Sequence, residues 1–169
     1  MRPRCAAVLG LPLAAGVAPA GWARAEEAQN CEVAAYLLST ESLLPKVAEA
    51  AKNARALNVL VVGSRSSTIT SAGASAYPAR LEEALKERLP SIPVNLSVEI
   101  QAGKTAEDVA QGLVKLVEAK KPTLVVWQTG TVDAMRSVDP DDFRGAVDDG
   151  VVAMQKAGAD VVMVNLQYS

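Results

Sequence analysis

The chain contains no histidine. That removes the side chain that most often takes a proton near neutral pH, and the commonest nitrogen ligand for zinc. Cysteine is almost as scarce, with Cys5 and Cys31 the only two. A histidine–cysteine metal cluster is therefore excluded, and no metal site is expected. Neither a GxGxxG fingerprint nor a P-loop occurs, so no cofactor is expected. There are no internal repeats, low-complexity runs or long linkers, and 169 residues are enough for one domain.

The N-terminus has the pattern of an export leader. Met1-Arg2-Pro3-Arg4 is basic, and Cys5 to about Trp22 is apolar, Ala-rich and uncharged. Ala23-Arg24-Ala25 is a small-x-small cleavage site followed by Glu26-Glu27. This reads as a secretory signal peptide over residues 1–25, cut after Ala25, and places the protein outside the cell or in the periplasm. The segment is too diluted by Gly, Pro and Ala for a membrane span, so none is expected once the leader is gone. Removing 25 residues leaves 144 and takes Arg2, Arg4 and Arg24 with them. Fourteen basic residues then face 19 acidic ones, a formal charge of −5. Such a domain offers no basic patch for nucleic acid. Cys31 is left alone in an oxidising compartment, so no intrachain disulfide forms. Its lead-in, Ala28-Gln29-Asn30, is not the small apolar one of a lipid-attachment site, and a half-buried helix cysteine is expected.

The rest of the chain alternates strands and helices. Residues 26–56 form an N-terminal segment, Ala/Leu-rich and helical from about Glu32, with a break at Pro45. Residues 57–62 (Leu-Asn-Val-Leu-Val-Val) are nearly all apolar and end in Gly63, as suits a strand buried on both faces of a parallel sheet. Residues 64–76 are small and polar, a loop. Pro78 opens a helix with Leu81, Ala84, Leu85 and Leu89 on its inner face. Val94 to Ile100 alternates as a strand. Thr105 and Asp108 form a capping box for a helix buried through Ala106, Val109, Ala110, Leu113, Leu116 and Val117. Residues 123–128 are a third strand in which Trp127 is core. Residues 139–157 are a helix with Phe143, Val147, Val151 and Met154 inward, ended by Gly158. Residues 160–166 are a fourth strand. The alternation predicts an α/β fold: a doubly wound, flavodoxin-like parallel sheet between two helical layers. Ligands in such folds bind outside the carboxyl ends of the strands. Here those ends are Gly63, Gln101 to Gly103, Gln128 to Asp133, and Gln167.

Taken together, these four points resemble the SGNH (GDSL-type) serine hydrolases from about Leu57 to Ser169. Ser66-Ser67-Thr68 resembles the family's Ser-x-Thr, with Arg65 in place of the Asp and Gly63 one residue further back. Ala102-Gly103-Lys104-Thr105 is similar to the block whose glycine N–H helps form the oxyanion hole. Gly130-Thr131-Val132-Asp133 is similar to Gly-x-Asn-Asp, with Val132 replacing the oxyanion asparagine. The resemblance implies an exported hydrolase acting on acyl or acetyl esters of small molecules, lipids or glycans. It implies Ser66 as nucleophile, with Ser64 as the other candidate, and an oxyanion hole from Ser66, Gly103 and Gly130. Arg65, Gln128 and Asp133 would touch substrate. Asp133 is equally readable as a helix or turn cap.

The family's last block, Asp-x-x-His, supplies the base and its orienting acid, and is not in this chain. The tract from Asp160 to Ser169 resembles the family's fourth strand, and its run Val161-Val162-Met163-Val164 is apolar on both faces, as for an inner strand. The expectation is therefore an incomplete SGNH domain over residues 57–169, truncated after the fourth strand. Its base would come from sequence beyond it. Two other readings compete: a non-catalytic relative that binds a ligand or partner, and a flavodoxin-like domain holding phosphate in the loop at residues 64–75.

Overall fold

The computed structural model describes residues 42–68 and 76–164. The expected leader, Cys31, most of the N-terminal segment and Gln167 lie outside the described residues. The described elements run α1 (Pro45–Lys52), β1 (Leu57–Gly63), a 3-10 turn (Arg65–Thr68), α2 (Tyr77–Arg88), β2 (Val94–Ile100), α3 (Ala106–Lys120), β3 (Leu124–Gln128), α4 (Thr131–Met135), α5 (Pro140–Lys156) and β4 (Asp160–Val164). The strands form one parallel four-stranded sheet in the order β2-β1-β3-β4. This is the doubly wound α/β arrangement that the alternation predicts.

β1 lies inside the sheet, paired to β2 along its whole length and to β3 from Val59 to Val62. That position explains its unbroken apolar run, because both faces are covered. On one face, Leu60, Val62, Val125 and Trp127 pack against α3 and α5. On the other, Leu57, Val59, Val61, Leu124 and Val126 pack against α1 and α2. β2 is an outer strand, and its alternating sequence matches its single neighbour. Val98 and Ile100 are more than a third exposed. β4 is the outer strand on the other side among the described residues, with Val162 and Met163 similarly exposed.

Helix ends follow local chemistry. The predicted capping box is formed: Asp108 N–H donates to Thr105 Oγ1 and Thr105 N–H to the Asp108 carboxylate. These bonds, and the charges of Arg136 and Lys104, hold the Asp108 carboxyl below its usual range. Its contribution to the cap is thus present above the ordinary carboxylate pKa and is lost as pH falls through the lowered one. α5 begins at Pro140 with Asp139 as N-cap, its carboxylate accepting from Asp141 N–H at 2.8 Å.

Details depart from the pattern-based expectation. Pro45 starts a helix instead of interrupting one, and residues 42–44 before it are not helical. This is the proline geometry expected at a first turn. Ala84 is exposed; Leu81, Leu85 and Leu89 carry the α2 contact, joined by buried Pro78. The loop after β1 contains a 3-10 turn, and α4 is a five-residue helix that periodicity could not reveal.

Trp127 is completely buried on the α3–α5 face. It fits there because residue 150 is glycine: a Cβ at that position would lie 2.6 Å from Trp127 Cζ3 and 3.3 Å from Leu113 Cδ1. Overpacking of this kind costs about 1–3 kcal/mol. Gly150→Ala is accordingly expected to lower the unfolding free energy by that amount, seen as a lower urea midpoint, even though alanine favours helix. An unchanged midpoint would show that the Trp127 pocket yields.

Candidate active site

The site lies where the winding of the sheet reverses. The connection from β1 leads outward to β2, and that from β3 leads to β4, so their carboxyl ends open a crevice between them. A narrow cleft there is lined by Ser64, Gln101, Lys104, Gln128, Gly130 and Val132, among others.

Ser64 leaves β1 at Gly63, and the 3-10 turn is closed by Ser67 N–H donating to Ser64 C=O at 3.0 Å. The turn folds Ser67 back over Gly63. A Cβ on residue 63 would collide with the Ser67 hydroxyl, so the position needs glycine for space. Ser67 Oγ is buried and donates to Gln128 Oε1 at 2.6 Å. The amide nitrogen of Gln128 donates to Ser66 Oγ at 3.1 Å. Ser66 Oγ lies 2.7 Å from Ser64 Oγ. One glutamine from β3 thereby holds the serines that follow β1.

Gly130 follows β3 with φ +101°, in the left-handed region where glycine is the natural residue, and is the N-cap of α4. Val132, half-buried, presents an aliphatic side chain to the cleft. Asp133 turns inward and is 4% exposed. Its Oδ1 accepts from Ala106 N–H at 2.9 Å, capping the first turn of α3. Its Oδ2 has no partner among the described residues. Gly103, also at positive φ, is exposed, and its carbonyl accepts from Arg136 Nη2 at 3.0 Å. Arg65 is an exposed residue of the turn.

Of the predicted residues, the cleft therefore gathers Ser64, Gln128 and Gly130, with Ser66 joined to them through its hydroxyl. Arg65, Gly103 and Asp133 do not line the cleft. Pattern reading missed Ser67, whose partner is 61 residues away. Its one local trace is the glycine four positions earlier. Tyr77 packs near Ser67, and burial pushes its phenol above the ordinary value, with the Ser67 hydroxyl opposing more weakly. A phenol shifted that way stays protonated at neutral pH and offers no base.

The sequence model of the Non-GDSL lipase-like family matches residues 30–169. The chain belongs to that family. Among solved structures, this non-GDSL lipase-like chain is similar to TesA, with 23% identity and a TM-score of 0.56 over 65% of this chain and 61% of TesA. It is similar to AlinE4, an SGNH-hydrolase family esterase, at 18% identity and TM-score 0.52, covering 63% of this chain and 58% of AlinE4. An acetyl xylan esterase from Geobacillus stearothermophilus gives 19% identity and TM-score 0.50 over 63% of this chain and 58% of that one. At these identities the likeness is one of fold, and the fold is that of the SGNH hydrolases. The chain spans about three fifths of the length of these structures. A search of curated proteins finds no match. No helix among the described residues is long and apolar enough to cross a membrane.

Replacing Gln128 by alanine strips the Ser67 hydroxyl of its acceptor and Ser66 of its donor. A buried hydroxyl left unpaired costs about 1–3 kcal/mol. Gln128→Ala is expected to lose that much stability in urea denaturation, and Gln128→Glu, which keeps the acceptor for Ser67, less. Equal losses would mean that the Ser67 bond carries no weight. Asp133→Ala should cost about 0.5–2 kcal/mol through the lost α3 cap, by the same measurement.

Proposed function

We propose that this chain belongs to an exported SGNH-type ester hydrolase that cleaves acyl or acetyl esters with a serine nucleophile. The observation that carries this reading is the serine pair at the end of β1. Ser64 lines the cleft together with Gly130, and Ser66 is bonded to Ser64 and held by an amide from β3. Membership of a lipase-like family supports it. So does the likeness to an acetyl xylan esterase and to a two-domain esterase active on acetylated mannans. The leader-like residues 1–25 support export. Small-molecule, lipid and glycan esters are the substrate class.

In this mechanism Ser66 Oγ attacks the ester carbonyl, and its proton passes to a histidine supplied by sequence beyond residue 169. Backbone N–H groups of Ser66 and Gly130 stabilise the oxyanion, each donor contributing about 2.7–4 kcal/mol; Gly103, which does not line the cleft, is not among them. Ser64 supports Ser66 as its hydrogen-bond neighbour and is the other candidate nucleophile. A second reading, a binding domain without hydrolysis, is favoured by one observation: Val132, whose side chain has no donor to offer, lines the cleft.

Fluorophosphonate labelling separates these readings, because an unactivated serine reacts slowly. The probe is to be applied to the 169-residue chain and to the product of the full reading frame, sequenced past codon 169. The hydrolase reading expects the longer product to label, the shorter one to label poorly, and Ser66→Ala to lose at least about 10³-fold in rate. Loss in Ser64→Ala alone would move the nucleophile to Ser64. No labelling of the longer product would leave the binding reading.

A further inference from the structure

The cleft does not stop at the serines. It shares Gln101, Lys104 and Val109 with an open groove along one flank of α3, whose lining also includes Gly112, Lys115 and Leu116. The groove has a volume of about 340 Å³, within the range of small-ligand sites. Among the described residues, Lys104 is the only charged one lining the cleft. Neither Lys104 nor Lys115 forms an ion pair among the described residues. Asp108, the one acid on the groove, is already engaged by Thr105 and Arg136. Asp133, the acid nearest the cleft in sequence, is spent on Ala106 N–H. Lys104 acts on Asp108 without pairing with it, and the protein as a whole carries a formal charge of −2, so two lysines outside the described ion pairs run against its overall sign.

Gly112 is an independent sign. It lies in the middle of a fifteen-residue helix, exposed, where glycine is among the least favourable residues. Its φ is not in the left-handed region, and a Cβ there would meet nothing within 4 Å. Neither packing nor backbone geometry asks for glycine. Its effect is to keep the groove unobstructed.

We propose that this groove holds the anionic part of the ester substrate, a chain bearing carboxylates, with Lys104 as the specificity-determining cation beside the reacting end and Lys115 further along. Lys104 precedes the helix and Lys115 lies on it; from the Thr105 cap to Lys115 is ten residues, about 15 Å at helical rise, which matches a short oligomer better than a single ion. The apolar floor of Val109 and Leu116 carries the ring or chain faces between the charges. The inference rests on the ester-hydrolase reading for the nature of the ligand, but binding can be measured without turnover.

The test is an amide-shift NMR titration of the 169-residue chain with trigalacturonate, with neutral maltotriose and inorganic phosphate as comparison probes. Trigalacturonate is expected to shift amides from Gln101 through Leu116, to bind more tightly than phosphate and to weaken with added salt. Lys104→Gln should weaken it about fivefold, the upper end for one exposed ion pair, and Lys104→Arg should not. Gly112→Leu should block binding while the thermal midpoint is kept or raised. The proposal is overturned by equal binding of maltotriose, by phosphate binding as tightly as the oligomer, by no binding, or by an unaffected Lys104→Gln. Ser66→Ala should bind like the wild type. Intact binding without fluorophosphonate labelling would sink the hydrolase reading alone, and labelling without binding would sink only this one.

Discussion

The burial of Trp127 is the constraint on which the rest of the architecture depends. Its indole is the largest fully buried side chain in the described core and fills the space between β3, α3 and α5. Gly150 lets α5 come close enough to cover it, and Leu113 of α3 closes the other side. A dense interior tolerates little change of volume, so this one ring sets the spacing of both helices from the sheet. It also sets the site. Gln128 follows Trp127 directly, so fixing the tryptophan in the core leaves the glutamine at the rim, where its amide reaches the turn after β1.

Long-range polar bonds complete what packing begins. Two buried carboxylates cap helices far from them in sequence: Asp133 caps α3 through Ala106 N–H, and Asp160 caps α1 through Val47 N–H at 2.9 Å. Each places a negative charge against the positive end of a helix and satisfies a donor that has no partner within the helix. The Asp133 bond has a functional consequence. It ties the segment after β3 to the segment after β2, the two that flank the cleft, and removes a carboxylate from the cleft lining. An acid that the motif would assign to substrate thus acts as a strut, and the charge left beside the serines is positive.

The serine cluster after β1 is held in place, and no described residue beside it can act as a base. Its hydroxyls are linked to each other and to a neutral amide, which orients them and cannot take a proton. Tyr77 is pushed toward its protonated form, and the chain has no histidine. Positioning and activation are separate requirements for a nucleophile. Among the described residues, the turn after β1 and Gln128 of β3 supply positioning of the serine hydroxyls, and no group beside them is a base.

The sequence by itself determined everything that depends on near neighbours. The apolar runs and alternation located all four strands, and β2 to the residue, because a strand's burial is written at a period of two. The Thr105 box was readable because donor and acceptor lie within three residues. The proline and glycine boundaries of α2 and α5 followed from fixed φ and from the freedom of glycine. The motifs also pointed to the correct family. Only the tertiary structure decided the order β2-β1-β3-β4, which of the candidate residues share the cleft, that Asp133 faces inward, and that Ser67 meets Gln128. Each of these is a contact between segments brought together by chain folding, where hydrogen-bond reach is measured through space, and periodicity along a chain holds no record of it.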